Sequence, residues 1–296
     1  MIDVNDEKPE VPIYLKRVGV SNVYIPTFSM VAGDKLSLIA LKVNAYIDLS
    51  RSYRGIHLSR NCESIIETFN KLSSKKLKVE DFCKEVAVNL LRKHRYASRS
   101  EVRVKGNIVF PRKTPVTRKI SYEKATLIGR SIAEKKQSKV FVRRFIGLKI
   151  SGITACPSAQ RTIAEKLKCS DIGSVPIATH MQRGYATIIV EIPNKFSIDV
   201  LGLVEVAKNA LSSLTYELLK KEDEVKVIID ALNRPRLAED VVRFMAEKLI
   251  EKFQGFPDEM RIYLRYKSLE SIHSHNLIAE YSATMGELRR EFNVVE

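Results

Sequence analysis

Cysteine is scarce in this sequence, with four residues, at positions 62, 83, 156 and 169, among 296. They are too few and too widely spaced for a disulfide framework, and the absence of any CxxC pair excludes a closed four-cysteine structural zinc site. Cys62, Cys83 and Cys169 fall in helical patterns and are predicted to be buried free thiols. Tryptophan is absent altogether, but its absence excludes no class of protein.

Long hydrophobic runs are also missing. No stretch of about 18 apolar residues occurs, which excludes a membrane-spanning helix of the usual length. The first residues, MIDVNDEKPE, are acidic and polar, so no signal peptide is predicted. We therefore expect a cytoplasmic protein without a membrane partner.

Acidic residues are few relative to basic ones. The chain has 35 Asp and Glu residues against 50 Lys and Arg residues, for a net charge of +15. Such a charge suits nucleic acid, an anionic membrane surface or a polyanionic small molecule such as a nucleoside triphosphate. The basic residues are spread along the chain and form no recognised nucleic-acid-binding motif. Charge thus favours a phosphate-rich ligand, with a non-catalytic, basic RNA-binding protein as an alternative.

Strand-like and helix-like segments alternate along the chain after a polar lead-in over residues 1–34. Residues 35–136 are predicted to form two strands, two helices and two strands, in the segments 35–60, 61–74, 79–94, 98–110 and 119–133. The length suits two domains of roughly 150 residues each.

The same order recurs over residues 137–296, with an insertion between its first two strands. The predicted strands are 138–153, 184–193, 259–268 and 276–285, and the predicted helices are 159–168, 197–213 and 236–253. No residue-level repeat is visible, so the duplication rests on element order alone. We predict an α+β fold of two tandem halves, each an antiparallel sheet with two helices on one face.

Histidine is nearly as scarce as cysteine, with five residues, and two of these are neighbours at His273 and His275. Residues two apart in an extended segment project to the same side, so both could coordinate or flank one ion. Glu270 precedes them, and carboxylates often orient imidazole ligands. The alternative interpretation is an exposed polar turn.

Cys156 and His180 are further candidate ligands. Cys156 lies in GITACPS, where a strand ends and a proline turn begins, and a thiol at such an edge can be a ligand or a nucleophile. His180 lies in PIATHMQRG at a strand entry, where Gln182 and Arg183 favour a polar binding loop. These residue types suit a catalytic metal site with an open water position, although each residue alone is more often structural.

The segment RGIHLSR, residues 54–60, combines two guanidinium groups, an imidazole and a hydroxyl. This mixture suits phosphate oxygens, which arginine holds in bidentate fashion. An exposed basic hairpin is the alternative. His94, in the run RKHR, is predicted to lie at a solvated helix end and is assigned no role.

Six segments taken in order resemble the prokaryotic GTP cyclohydrolase family of the tunnelling-fold superfamily: RGIHLSRN, GITACP, PIATHMQRG, LLKKEDE, PRLAEDVVR and ESIHSHN. The likeness extends from about residue 15 to 285 and points to the archaeal, Fe(II)-dependent branch, which serves tetrahydromethanopterin biosynthesis. The resemblance implies attack of water on C8 of GTP, opening of the imidazole ring and loss of formate.

The resemblance also implies roles for particular side chains. The implied metal ligands are Cys156, His180, Glu224 and His273. The implied catalytic residues are Cys156, Glu270, His273 and His275. Glu239 matches the glutamate that anchors the N–H edge of the purine in tunnelling-fold enzymes. The other predicted substrate-binding residues are His57, Ser59, Arg60, Gln182 and Arg183.

The sequence departs from the family pattern in two places. Relatives often carry CPC where this chain has CPS at residues 156–158, so a second thiolate cannot take part in the site. Relatives often carry LLKR where this chain has LLKK at residues 218–221, which keeps the charge but loses a planar guanidinium. Neither departure removes a predicted ligand.

The resemblance implies one divalent metal per site, with Fe(II) expected and Zn(II) or Mn(II) as alternatives. It implies GTP as the substrate and a homo-oligomer, a tetramer with sites between subunits. The archaeal branch yields 7,8-dihydroneopterin 2',3'-cyclic phosphate, and the alternative product is 7,8-dihydroneopterin triphosphate.

Overall fold

The computed structural model describes residues 3–26, 37–72, 78–137, 139–168, 176–193 and 196–293. In chain order the strands and helices are β1 Leu15–Ile25, β2 Ser37–Leu49, α1 Leu58–Leu72, α2 Val79–Lys93, β3 Arg99–Lys113, β4 Ile120–Lys136, β5 Lys139–Ala155, α3 Pro157–Lys166, β6 Met181–Ile192, α4 Val200–Ala210, β7 Ser213–Leu214, α5 Lys221–Asn233, α6 Ala238–Lys252, β8 Arg261–Ser268, β9 Leu277–Thr284 and α7 Met285–Asn293. A single 3-10 turn, Val4–Asp6, precedes β1. Within the described residues, no helix is both long and apolar enough to cross a membrane.

The strands of the described residues form one nine-stranded sheet. Its order is β1-β2-β3-β4-β5-β6-β8-β9, and the short β7 pairs with β5. Along β8, Ile262, Leu264 and Tyr266 are buried and the residues between them are more exposed, as the two-residue period of a strand requires. The predicted α+β class with an antiparallel sheet is confirmed.

Contacts divide the chain into two compact units that interleave along the sequence. Unit 1 comprises Met1–Ile108, Thr126–Ile146 and Glu191–Lys195, and unit 2 comprises Val109–Ala125, Gly147–Val190 and Phe196–Glu296. The tandem halves predicted from element order, 35–136 and 137–296, are consecutive in sequence. Their boundary stays a prediction.

Unit 1 packs α1 and α2 against each other and over β2. Alternate residues of β2 from Leu41 to Leu49 are buried. Phe82, Val86 and Leu90 recur every fourth residue of α2, and all three are fully buried. Because each such side chain contributes roughly 1.5–3 kcal/mol on burial, this helix–sheet interface is the core of the unit.

Unit 2 packs α4 against α6, and α6 over β8 and β9. Val241, Met245 and Leu249 repeat every fourth residue of α6 and form its buried stripe. The helix α7 contacts both α6 and β9. The start of α6 is thereby held over the sheet, which matters for the site described below.

The irregular lead-in predicted for residues 1–34 is wrong for Leu15–Ile25, which forms β1. The strand pair predicted within residues 35–60 is also wrong, because β2 pairs with β1 and the residues after Leu49 lead into α1. Most residues of β1 are exposed or half-buried. An edge strand of this kind lacks the apolar alternation by which strands are predicted.

The helices α5 and α7 were not predicted. Charged residues fill the first turn of α5, and α7 has only nine residues, four of them Glu or Arg, so neither offers a long apolar pattern. The helix predicted at 197–213 is shorter in the structure, because α4 ends at Ala210 and the chain then forms β7.

Candidate active site

Cys156 lies between the end of β5 and the start of α3. It is the N-cap residue of α3, its sulfur accepts a hydrogen bond from the Ala159 N–H at 3.4 Å, and Pro157 occupies the first helical position. Proline suits that position because its fixed φ is helical and no amide donor is needed there. The half-buried, reduced thiol is therefore at a strand-to-helix boundary, as the sequence predicted.

His180 lies directly beside Cys156. The Cys156 N–H donates to the His180 carbonyl at 3.2 Å, and the Thr179 hydroxyl donates to the Cys156 carbonyl at 2.8 Å. The His180 ring contacts Gln182 through Nδ1, which is 2.9 Å from Oε1. This contact orients the ring and leaves Nε2 as the nitrogen that can face a metal.

The loop between β8 and β9 starts at the same end of the sheet. The Leu269 N–H donates to the Arg183 carbonyl at 2.9 Å, and Ser268 is paired with Gly184 in the sheet register. His273 and His275 lie side by side, with their ring centroids 5.0 Å apart, and both are exposed. The sequence predicted that these two rings project together, and they do.

The start of α6 also adjoins Cys156. The Arg236 N–H donates to the Ala155 carbonyl at 2.9 Å. Glu239 follows in the first turn of α6 and is exposed. The predicted purine anchor thus lies on a segment that is bonded to the strand carrying Cys156.

Glu224 lies on α5, at the end of that helix farther from its contact with α3. It is exposed in the first turn of α5, whereas the other end of that helix contacts α3 through the Gln160 amide and the Leu232 carbonyl, 2.9 Å apart. At 1.5 Å of rise per residue, Glu224 and Leu232 are about 12 Å apart along the helix axis. Its role as a ligand stays a prediction.

The neighbouring carboxylate, Asp223, is buried and structural. It accepts the backbone N–H groups of Val116 and Thr117 at 2.9 Å each, and the Thr117 hydroxyl at 2.6 Å. Burial raises its pKa, but these hydrogen bonds outweigh burial and hold the pKa well below its usual range. Asp223 therefore fixes α5 to the turn between β3 and β4.

The segment RGIHLSR, residues 54–60, contacts an acidic turn near the N-terminus. His57 lies 3.4 Å from Asp3 through Nδ1 and 3.3 Å from Asp6 through Nε2, and Arg54 lies 3.0 Å from Glu7. The motif's Ser59 and Arg60 are on the first turn of α1. The acidic residues were not assigned to this site from sequence, although their charge opposite to the motif was a usable signal.

The prediction that His94 lies at a solvated helix end is wrong. The side chain is fully buried, with Nε2 3.0 Å from the Asn61 amide oxygen and Nδ1 3.0 Å from the Tyr96 hydroxyl. Burial, and to a smaller extent the nearby charge of Arg60, lowers its pKa to about 4. His94 therefore supports Asn61, the last residue of the RGIHLSRN segment.

Tyr266 links three strands at the end of the sheet that carries Cys156. Its hydroxyl is 3.2 Å from the Thr154 hydroxyl on β5, and its ring packs over Gly184 on β6. Burial raises the pKa of Tyr266 to about 12, so the phenol stays protonated. Sequence reasoning did not find this residue, because buried tyrosines give no distinct local signal.

A pocket of about 390 Å³ also lies in unit 2. Its lining is Pro115, Ser212, Ser213, Leu214, Tyr216, Val227, Asp230, Asn233 and Arg234. The Ser212 hydroxyl oxygen accepts the Ala155 N–H at 3.3 Å, so the pocket adjoins the strand end that carries Cys156. Among the residues that the structure describes, no three His, Cys, Asp or Glu side chains are grouped closely enough to hold a metal ion.

Comparison with known proteins identifies the family. Residues 1–279 match the family described as type I GTP cyclohydrolase folE2. GTP cyclohydrolase MptA 2 of Methanocella arvoryzae is 36% identical over 304 residues, covering 98% of each chain. GTP cyclohydrolase MptA of Methanocaldococcus jannaschii is 36% identical, covering 98% of this chain and 97% of that protein. The namesake from Methanothermobacter thermautotrophicus is 34% identical, with coverage of 98% and 95%.

Solved structures agree on the fold. Urate oxidase from Bacillus sp. TB-90 matches with a TM-score of 0.53 at 9% identity, covering 92% of this chain and 99% of that one. A uricase from Bacillus fastidious matches with a TM-score of 0.50 at 10% identity, covering 96% and 97%. At such low identity the likeness establishes the fold alone, and it is the predicted tunnelling fold. With the family match spanning most of its length, the chain belongs to the type I GTP cyclohydrolase folE2 family and is an enzyme of that family.

Proposed function

We propose that this chain is a metal-dependent GTP cyclohydrolase that hydrolyses GTP at C8, releases formate and yields 7,8-dihydroneopterin 2',3'-cyclic phosphate. The observation that carries the proposal is the 3.2 Å hydrogen bond from the Cys156 N–H to the His180 carbonyl, which joins two predicted metal ligands. The full-length relatives named GTP cyclohydrolase MptA support the substrate and the type of reaction.

The side chains of Cys156 and His180 carry donor atoms that suit a divalent transition metal. Cys156 is a free thiol, and the Nδ1 contact of His180 with Gln182 leaves Nε2 available. Sulfur and imidazole nitrogen suit Fe(II) and Zn(II), with Mn(II) as a further alternative. We propose one ion per site, Fe(II), with Glu224 and His273 as the remaining ligands. A bound ion supplies the Lewis acidity that makes water nucleophilic near neutral pH.

The chain's own residues would position the substrate and move protons. The exposed Glu239 carboxylate would accept the N1–H and the 2-amino group of guanine, and a purine without these donors would leave it unpaired. His273 and His275 would carry protons to the imidazole nitrogens as that ring opens, with Glu270 orienting them. Basic and polar side chains of the segments RGIHLSR and PIATHMQRG would hold the triphosphate: His57, Ser59, Arg60, Gln182 and Arg183.

The product can be distinguished by counting phosphates. A cyclic monophosphate keeps one of the three phosphates of GTP, so diphosphate must be released with it. The alternative product, 7,8-dihydroneopterin triphosphate, keeps all three. What favours the cyclic phosphate is the resemblance to the archaeal branch.

The test is anaerobic incubation of the purified chain with GTP after loading with Fe(II), Mn(II) or Zn(II). We expect formate and a pterin in equal amounts, together with one diphosphate per turnover. Release of formate without diphosphate would show that the product is 7,8-dihydroneopterin triphosphate and not the cyclic phosphate. The absence of formate with all three metals would contradict the proposal.

The proposal includes a cytoplasmic homotetramer with active sites between subunits. The tunnelling fold is the support for it, since the resemblance implies that such sheets assemble into rings. Light scattering after size-exclusion chromatography measures the mass of the assembly, and a monomer at micromolar concentration would contradict this part.

A further inference from the structure

Arg236 carries a guanidinium group with two unpartnered nitrogens. Within the described residues, Nε and Nη1 are buried and have no hydrogen-bond acceptor. A buried donor left without an acceptor costs roughly 1–3 kcal/mol, and a charged one costs more. Burial lowers the pKa of this group, and the charge of Arg234 lowers it further. Buried polar groups of native proteins are nearly always paired, so these two nitrogens call for an acceptor.

The backbone of Arg236 is part of the candidate site. Its N–H donates to the carbonyl of Ala155, the last residue of β5, at 2.9 Å, and Cys156 is the next residue along the chain. Glu239, the predicted purine anchor, follows three residues later in the first turn of α6. Arg236 therefore lies on the short segment that joins the predicted metal ligand to the predicted purine anchor.

The guanidinium group is held against an aromatic ring. Its central carbon is 3.3 Å from the centroid of the Phe244 ring. A guanidinium group donates only within its own plane, so an acceptor has to approach its edge. Asp240 on α6 is the acidic residue whose charge acts most on this group, and it is engaged elsewhere, by the Arg243 guanidinium at 2.9 Å and the Leu237 N–H at 3.2 Å.

We propose that Arg236 is a further substrate-binding residue, whose buried N–H groups donate to an oxygen acceptor of bound GTP. The inference rests on the proposed function. GTP offers such oxygens at guanine O6 and on its phosphates. O6 is favoured, because it is adjacent to the N1–H that Glu239 is predicted to hold. Arginine is also the side chain that most often pairs with the O6 and N7 edge of guanine.

The experiment measures the Kd of GTP by calorimetry for the full chain, in EDTA to prevent turnover, and kcat and KM for the metal-loaded chain. Arg236→Met is expected to weaken GTP binding about 10- to 100-fold, the range for a buried hydrogen bond to a charged group. Arg236→Lys keeps the charge but not the planar fork, and should weaken binding by a smaller factor. Arg243→Met changes an exposed arginine on the adjoining helix α6; it is the matched control and should bind GTP like the parent.

Two ligand analogues separate the possible acceptors. 2-Aminopurine riboside triphosphate lacks O6, and guanosine lacks the phosphates. For each analogue, the Kd of the variant is divided by the Kd of the parent. Any other contact that the analogue loses is lost in both proteins, so its effect cancels in this ratio. A ratio that falls to near 1 with the aminopurine identifies O6, and a ratio that falls to near 1 with guanosine identifies a phosphate.

The proposal is overturned if Arg236→Met and Arg236→Lys bind GTP as the parent does. It is also overturned if the ratio stays high with both analogues, because the effect would then be an indirect one on the fold. A parent that binds GTP but releases no formate would contradict the proposed reaction and leave this test intact. A parent that does not bind GTP would contradict both.

Discussion

At the level of single residues, the Cys156 thiol contributes little to the stability of the fold, because its sulfur accepts only a long, weak hydrogen bond from the Ala159 N–H. Its backbone, by contrast, is tied to its neighbours through the His180 carbonyl and the Thr179 hydroxyl. Removing the side chain should therefore leave the fold intact and affect what the thiol binds.

Cys156→Ala should lower formate release by at least about 100-fold, because loss of a ligand costs at least as much as loss of the groups around it. The metal content after loading, measured by mass spectrometry of the eluted ion, should fall in parallel. Cys62→Ala is the matched control, since Cys62 is also a half-buried free thiol but lies on α1. Full activity in Cys156→Ala would show that the assigned metal site is wrong.

His94 makes the stability of the chain depend on pH. Because burial puts its pKa at about 4 in the folded state, below the usual histidine value of about 6.5, protonation favours the unfolded state. Its contribution is complete above pH 6.5 and is lost as the pH falls toward 4. The shift corresponds to roughly 3 kcal/mol.

His94→Gln should be less stable than the parent at pH 7. Between pH 7 and pH 4.5, its free energy of unfolding should fall by about 2–3 kcal/mol less than that of the parent. Urea unfolding at the two pH values measures both differences. Unfolding free energies that fall in parallel for the two proteins would contradict this assignment.

At the scale of elements, the ends of β5, β6 and β8 are joined by a single aromatic side chain. A Cβ atom at Gly184 would lie 2.1 Å from the Tyr266 hydroxyl oxygen and 2.3 Å from Cζ of the same ring. The Tyr266 ring is fully buried and cannot move aside without disturbing the contact with Thr154. The strand pairing that brings His180 to Cys156 therefore depends on glycine at residue 184.

Gly184→Ala should lower the unfolding free energy by about 2 kcal/mol, the usual cost of overpacking a core. Formate release should fall as well, because His180 directly precedes β6. Gly255→Ala is the control, since a Cβ atom there meets nothing within 4 Å. Equal melting temperatures for the two variants would refute the proposed role of the close approach.

At the scale of the whole molecule, part of the net charge of +15 can be located. Four arginines of unit 1 surround the buried carboxylate of Glu101, with the closest nitrogen of each at 2.7–3.9 Å: Arg17, Arg99, Arg103 and Arg130. Burial raises the pKa of Glu101, but the arginines outweigh burial and the pKa is lowered. A second carboxylate, Glu134, lies 3.2 Å from Arg99, so the four arginines still outnumber the acidic groups that they contact and leave an excess of positive charge here.

The proposed assembly can be tested by complementation between inactive subunits. Cys156→Ala and His57→Ala change residues of different units, which the proposal assigns to sites shared by two subunits. In randomly mixed oligomers about a quarter of such sites would carry both intact residues, so co-expression should restore about a quarter of the parent activity. Co-expression of Cys156→Ala with His180→Ala should restore none. A Cys156→Ala and His57→Ala mixture as inactive as its components would place each site within one subunit.

Most of the strands and helices, and the family, could be predicted because they depend on local patterns. Buried residues of α2 and β8 recur with periods set by the backbone itself, and motifs such as GITACP keep their spacing in the chain. β1 escaped prediction because an edge strand with mostly exposed residues has no strong period.

Contacts between residues far apart in sequence were decided only by the tertiary structure. Cys156 and His180 are adjacent because the end of β5 lies beside the start of β6, which is a matter of strand pairing and not of local pattern. His94 was expected in solvent, and its burial depends on Asn61 and Tyr96 packing around it. The unpartnered nitrogens of Arg236 are likewise visible only in the folded chain, because burial and hydrogen bonding are set by neighbours that the sequence does not specify locally.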